Sequence, residues 1–163
     1  MTEPTVEPTV ESTADLYDRL GDALQSLPLQ LRDFGGKVAF SGPIRTVRCL
    51  EDNSLMRSIL ETPGEGAVLV VDGEGSLNTA LMGDMIAELA VQNGWAGVVI
   101  HGAVRDSAAI GMLPLGVKAL GTNPRKSGKT GAGEADAVLE FGGVTFRPGA
   151  ILHADQDGVL VEG

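Results

Sequence analysis

A chain of 163 residues, 43% of them apolar, is long enough for one domain with a substantial core and too short for two full ones. Its formal net charge of -10 opposes a phosphate backbone, and no window interleaves dense Lys and Arg with aromatics, which argues against direct nucleic-acid binding. A single cysteine, Cys49, excludes an intramolecular disulfide, and neither a secretory leader pattern nor an apolar run of about 18 residues is present, which predicts a cytoplasmic protein without a membrane partner.

Residues 1–12 carry a tandem Glu-Pro-Thr-Val, whose prolines and carboxylates cannot offset ordering entropy by burial, and predict a disordered tail ahead of a single domain over residues 13–163. Thr13 is a candidate N-cap for an amphipathic helix over 14–24, with Leu16, Leu20 and Leu24 at four-residue spacing. Residues 37–50 predict strands broken by a turn at Ser41, Gly42 and Pro43, hence a hairpin or meander. Asp52 or Asn53 can cap a helix over 54–61, which Pro63 and Gly64 terminate. The apolar run at 67–71, closed by Asp72 and Gly73, suits a strand buried on both faces. Helical spacing returns over 79–93, and a second buried strand follows at 97–101, so residues 68–100 predict a β-α-β unit with parallel strands. A short helix over 107–112, a strand over 117–120 and strands near 137–141, 144–146, 150–154 and 158–161 complete an α/β architecture with a mixed sheet or barrel.

Arg105 and Asp106 directly follow that second buried run. They are either a solvated pair closing a strand or a functional pair, since ligand chemistry in layered α/β folds gathers at strand carboxyl ends. Gly83 invites the same question. It is either a packing glycine inside a longer helix or the approach to a helix N-terminus, whose free amides would make an anion site near Gly83. His101 and Asp72 can each serve as structural hydrogen-bonding groups or in proton transfer. Asp155 and Asp157 read as a polar turn, lacking the other ligands of a calcium loop. Trp95 is expected to pack at a helix-to-strand turn or on an oligomer surface. Arg125, Lys126 and Lys129 form the only local basic cluster, and the Pro and Gly among them mark a loop, solvated in preference to anion-binding.

The succession Phe34-Gly35-Gly36, Val70-Val71-Asp72-Gly73, Ala80-Leu81-Met82-Gly83-Asp84, the run from Val91 through His101-Gly102-Ala103-Val104-Arg105-Asp106, Phe141-Gly142-Gly143-Val144 and Ala154-Asp155-Gln156-Asp157-Gly158-Val159 resembles the RraA family, the regulators of ribonuclease activity A. That family is close kin of the class II 4-hydroxy-4-methyl-2-oxoglutarate aldolases. The resemblance spans about residues 14–163 in order and spacing. It implies a swivelling-type β/β/α fold with a central mixed sheet or barrel flanked by helices, assembled as a homotrimer or a pair of trimers with clefts between subunits. It also implies a metal-dependent lyase that cleaves a C–C bond in a small 2-keto acid through pyruvate enolate, or decarboxylates oxaloacetate, with Mg2+ or Mn2+. On this chain the backbone of Gly83, Asp84, Met85 and Ile86 would hold the substrate carboxylate, Arg105 would engage the substrate, Asp106 would hold the metal or its waters, and Asp84 would bind a metal water or orient the base. The alternative is a non-enzymatic regulator that binds a ribonuclease or RNA helicase. One position departs from the aldolase pattern: Ala109 stands three residues after Asp106, where those enzymes commonly carry an acid. The departure predicts a weaker or narrower lyase, with oxaloacetate decarboxylation less affected because no hydroxyl must lose a proton.

Overall fold

The computed structural model describes residues 11–163. The predicted tail lies outside the described residues except for its last two. Glu11 accepts hydrogen bonds from Arg19, and Ser12, rather than Thr13, caps the first helix by accepting from the amide of Asp15 at 3.1 Å.

Helix α1 spans Thr13–Leu20 and is shorter than its leucine spacing predicts. Gly21, at φ +53, stops it; a turn of 3-10 helix follows, and Leu24 enters strand β1 (Leu24–Ser26). Leu24 still packs with Leu16, both against Leu160, so the apolar pattern reports a shared destination rather than a continuous helix.

The other strands are β2 (Arg32–Asp33), β3 (Phe40–Arg48), β4 (Val68–Asp72), β5 (Ala80–Met82), β6 (Gly97–Val104), β7 (Gly116–Thr122), β8 (Glu134–Ala135), β9 (Leu139–Phe141), β10 (Val144–Phe146), β11 (Ile151–Asp155) and β12 (Gly158–Glu162). Helices α2 (Ser54–Leu60), α3 (Asp84–Gln92) and α4 (Ser107–Ile110) connect them. One mixed sheet runs in the order β1-β12-β11-β3-β4-β6-β7-β2, with β5 beside β6 and β8 beside β3, while β9 and β10 pair separately. The parallel β4-α3-β6 unit is present, with Val68 opposite Gly97 and Asp72 opposite His101.

The turn expected at residues 41–43 does not form, because β3 passes straight through it and changes partners there. Phe40 to Pro43 pair antiparallel with β11, and Ile44 to Arg48 pair parallel with β4. Pro43 falls at the changeover, where a missing backbone donor costs least. The helix predicted over 79–93 also resolves differently. Ala80, Leu81 and Met82 are buried as β5 against Ala103 and Val104, and the helix begins only at Asp84. Gly83 is therefore the residue before the helix, not a packing glycine within it.

Alternate residues of the central strands feed two cores. Leu69, Val71, Val98 and Ile100 face Met56, Leu60, Ala87 and Ala90 of the helices, whereas Val68, Val70 and Val99 face Leu139, Phe146, Leu152 and Val161. Burial on both faces explains why β4 reads as an unbroken apolar run. The ring of Phe40 lies against Gly97 and Gly116, where a Cβ on either would overlap it. Trp95 is buried at the turn between α3 and β6, and its indole donates to the carbonyl of Thr62 at 3.0 Å.

Candidate functional site

Strand β6 ends at Val104, and the next two residues reach the surface beside the start of α3. The amide of Arg105 is fixed by the carbonyl of Met82 at 2.9 Å, which ties the end of β6 to the end of β5. Asp106 adopts a left-handed backbone, φ +55 and ψ +39, that Asp tolerates better than most residues. Its Oδ2 accepts a hydrogen bond from the amide of Asp84 at 3.2 Å and lies 4.0 Å from Nε of Arg105. A carboxylate at a helix N-terminus is favoured by the helix dipole. Helix geometry leaves the first amides of α3 without partners inside the helix, so those of Met85 and Ile86 remain available at the same mouth.

Gly83 has an extended backbone, φ -115 and ψ -168, that any residue can adopt, so its role is steric. A Cβ there would stand 2.6 Å from Oδ2 of Asp106 and 3.3 Å from Nε of Arg105. The missing side chain is what lets the start of α3 approach the pair.

The six residues to which the family resemblance assigns site roles, Gly83, Asp84, Met85, Ile86, Arg105 and Asp106, line one open cleft. Arg105 and Asp106 are each about 43% exposed in their side chains, accessible to a ligand and still held by the strand end. Ala109 is exposed on α4 and brings no carboxylate to the cleft.

Sequence reasoning missed that Asn53, Arg57, Lys126 and Lys129 line the same cleft. The basic cluster at 125–129 is exposed, as a solvated loop would be, yet it is firmly anchored. The carbonyl of Arg125 accepts from the amide of Ala80 at 2.7 Å, Ser127 Oγ donates to the carbonyl of Ala80 at 2.7 Å, and Gly128 exchanges backbone hydrogen bonds with Glu51 and Asn53. Buried Asp52 closes the arrangement. Its Oδ2 accepts from the amide and hydroxyl of Thr130 at 2.6 and 2.7 Å, and its Oδ1 from the amide and hydroxyl of Ser54 at 3.2 and 2.8 Å. Burial alone would raise the Asp52 carboxyl, but these four hydrogen bonds outweigh it and hold the group well below the ordinary carboxylate range.

A depressed folded-state value means that Asp52 stabilises the latch fully above the unfolded carboxyl value of about 3.9, and that the contribution fades as pH falls toward the lower folded value. The amide protection factor of Thr130 is therefore expected to hold from about pH 5 upward and to fall only in more acid solution. Loss of protection between pH 5 and 7 would exclude Asp52 as the latch.

His101 and Asp72 lie outside the cleft lining and satisfy one another. His101 Nδ1 is 3.0 Å from Asp72 Oδ1, and the imidazole stacks on Phe141 with ring centroids 4.5 Å apart. Asp155 accepts from the amide and hydroxyl of Thr13 and from the amide of Asp157, the arrangement of a polar turn. Cys49 is buried, and its desolvated thiol, with Asp52 and Asp72 nearby, is pushed up to about 12, which makes it a poor nucleophile.

A large mixed sheet flanked by few helices, with an Arg-Asp pair at a central strand end facing a helix start, defines an α/β protein whose candidate site is a surface cleft at those strand ends. The chain belongs to the RraA-like family: the family model, described as Aldolase/RraA, matches residues 13–161. Members of that family include aldolase and decarboxylase enzymes as well as regulators of ribonucleases. The chain is similar to a Geobacillus kaustophilus protein called S-adenosylmethionine:2-dimethylmenaquinone methyltransferase, with 55% identity, 93% of this chain and 94% of that one covered, and a TM-score of 0.92. It is also similar to the RNA-processing inhibitor RraA from Thermus thermophilis, with 47% identity, coverage of 93% and 92%, and a TM-score of 0.90. An unusual member of the RNase ES inhibitor RraA family from Streptomyces coelicolor is 29% identical over 90% of this chain and 75% of that one, with a TM-score of 0.72. No described helix is long and apolar enough to cross a membrane.

Proposed function

We propose that this protein is a divalent-metal-dependent carbon–carbon lyase, an oxaloacetate decarboxylase and 4-hydroxy-4-methyl-2-oxoglutarate aldolase that releases pyruvate. The observation that carries the reading is the convergence of Asp106, Arg105 and the first turn of α3 around Gly83, where a Cβ would strike the Asp106 carboxylate. Arg105 supplies a permanently charged, forked donor suited to a carboxylate or keto oxygen. The amides of Met85 and Ile86 supply neutral donors with a favourable dipole for the same end of the substrate. Asp84, first in α3 and lining the cleft, is placed to orient a water or hold a proton.

The donor set decides what kind of metal fits. Among the described residues of one chain no three His, Cys, Asp or Glu side chains form a ligand cluster. A single exposed carboxylate, Asp106, suits Mg2+ or Mn2+, hard cations that keep several waters and take substrate oxygens as further ligands. When bound, such an ion supplies Lewis acidity that stabilises negative charge developing on the 2-keto oxygen. Assembly as a homotrimer or hexamer belongs to the same proposal; Met85 on α3, 68% exposed, and Met112 beyond the adjoining α4, 85% exposed, offer apolar surface beside the cleft for a neighbouring subunit.

Purified protein is expected to release pyruvate from oxaloacetate with Mg2+ or Mn2+, to act less well on the hydroxylated keto acid because position 109 lacks an acid, and to stop when a chelator is added. Inactivity on both keto acids with either metal would sink the reading. A second reading, a regulator that binds a ribonuclease or RNA helicase, draws on the net charge of -10 and on 47% identity to the Thermus RNA-processing inhibitor. It uses the acidic outer surface rather than the cleft, and its signature is association that weakens with salt.

A further inference from the structure

The sulfur atoms of this chain fall into two groups. Among the described residues Cys49, Met56 and Met82 are buried, and the Cys49 thiol, pushed up to about 12, stays protonated at neutral pH. Met85 and Met112 are exposed, so among the described sulfurs these two thioethers are the ones a soluble oxidant reaches. Their surroundings differ. Met112 lies outside the cleft lining, whereas Met85 lines the cleft as the second residue of α3, directly after Asp84. Hydrogen peroxide, little larger than water, reaches the Met85 sulfur through the same opening as a ligand, also where a neighbouring subunit covers the outer surface.

Oxidation changes what this side chain offers to the backbone beside it. A thioether is a weak acceptor, and a sulfoxide is a polar one with negative charge gathered on its oxygen. That oxygen stands as many bonds from Cβ as the carbonyl oxygen of a glutamine side chain, and Gln or Glu in the first turn of a helix can reach the unpaired amides at its start. Helix α3 carries such amides at Met85 and Ile86, and Gly83 before it supplies no side-chain cap to compete for them. The helix dipole favours negative charge at that end. We propose that Met85 is a site of oxidation by peroxide, and that its sulfoxide oxygen caps α3 and so occupies amides that would otherwise take a ligand carboxylate. In the step the O–O bond of the peroxide breaks and one oxygen passes to Sδ as the S–O bond forms. The sulfur gives up two electrons, and the other oxygen leaves as water with both hydrogens. The effect on ligand binding rests on the keto-acid reading of the cleft, while the oxidation itself does not.

The full chain treated with hydrogen peroxide, then freed of it by gel filtration, is expected to show one added oxygen on the Met85 and Met112 peptides by mass spectrometry and none on those of Met56 and Met82. Calorimetric titration with pyruvate in the presence of Mg2+ reads the consequence without turnover. Oxidation is expected to weaken pyruvate binding by about tenfold, the scale of losing one charge-assisted hydrogen bond. Met112→Leu is expected to lose the same factor on oxidation, and Met85→Leu to keep through the treatment whatever affinity it starts with. Met85→Gln places a carbonyl oxygen at the sulfoxide position and is expected to bind as weakly without peroxide as the oxidised wild type does. An unmodified Met85, or an affinity loss that persists in Met85→Leu, overturns the proposal. Untreated protein that binds pyruvate but does not cleave oxaloacetate overturns the lyase alone. Cleavage of oxaloacetate with pyruvate affinity unchanged after Met85 is oxidised overturns the capping sulfoxide alone, and no pyruvate binding by untreated protein removes both.

Discussion

Asp106→Ala is expected to lower metal-dependent pyruvate release from oxaloacetate by about 10³-fold, the scale on which single groups that stabilise developing charge contribute. The same change has little to unfold. The Asp106 side chain is 43% exposed, and among the described residues it contacts the amide of Asp84 and, at 4.0 Å, Arg105. Losing the acceptor at the helix start costs roughly 0.5–1 kcal/mol, and placing Ala in a left-handed backbone adds about 1 kcal/mol. The thermal midpoint therefore moves by only a few degrees, and a circular-dichroism melt separates lost chemistry from lost fold. Asp106→Asn sharpens the result, because the amide keeps the side-chain shape, tolerates the φ of +55 and still accepts from Asp84, and removes only the charge. Near wild-type turnover by Asp106→Asn would show that charge is not what the site requires, and Asp106 as metal anchor would be lost with it.

Where the sequence was legible, one physical signal dominated. Strand β4 lies buried between two cores and carries no polar residue until Asp72, so its apolar run marks it, its two-sided burial and its exit toward a loop. The same holds for β6, which places Arg105 and Asp106 at a strand end. Legibility failed where tertiary pairing overrode local pattern. Pro43 and Gly42 carry every local mark of a turn, yet β11 on one stretch and β4 on the next supply partners that keep β3 extended. Ala80, Leu81 and Met82 fit helical spacing as well as they fit a short strand, and only the proximity of Ala103 and Val104 decides between them. The lysine wall failed for another reason. Its anchors, Asp52 and Ala80, lie more than 40 residues earlier in the chain than the lysines, so nothing local distinguishes a latched loop from a solvated one.

Lys118→Ala is expected to cost about 2–4 kcal/mol, most of it from the void left by the buried side-chain stem. Lys118 is 2% exposed in the middle of β7, among the apolar residues Val117 and Ala119, and its Nζ lies 2.9 Å from Oδ1 of Asp33, the residue directly opposite on β2. Removing the ammonium leaves Asp33, with only 27% of its side chain exposed, without its counterion, and the vacated stem leaves a void in the sheet. A urea midpoint shift of Lys118→Ala reports the sum of the two. Lys118→Met separates them by filling the volume without the charge, so it recovers the packing share and retains the penalty of the unpaired carboxylate. Lys118→Met combined with Asp33→Asn removes both charges, and because Asp33 sits exposed on β2 the double variant is expected within about 1 kcal/mol of Lys118→Met alone. If that double variant regains wild-type stability, the ion pair adds little net free energy, and its contribution is to register. Strand β2 has only two residues, and the Asp33–Lys118 pairing would then be what selects one alignment on β7 over its neighbours. A Lys118→Ala loss below about 1 kcal/mol would mean that Asp33 is adequately hydrated alone, and the pair would then specify neither stability nor register.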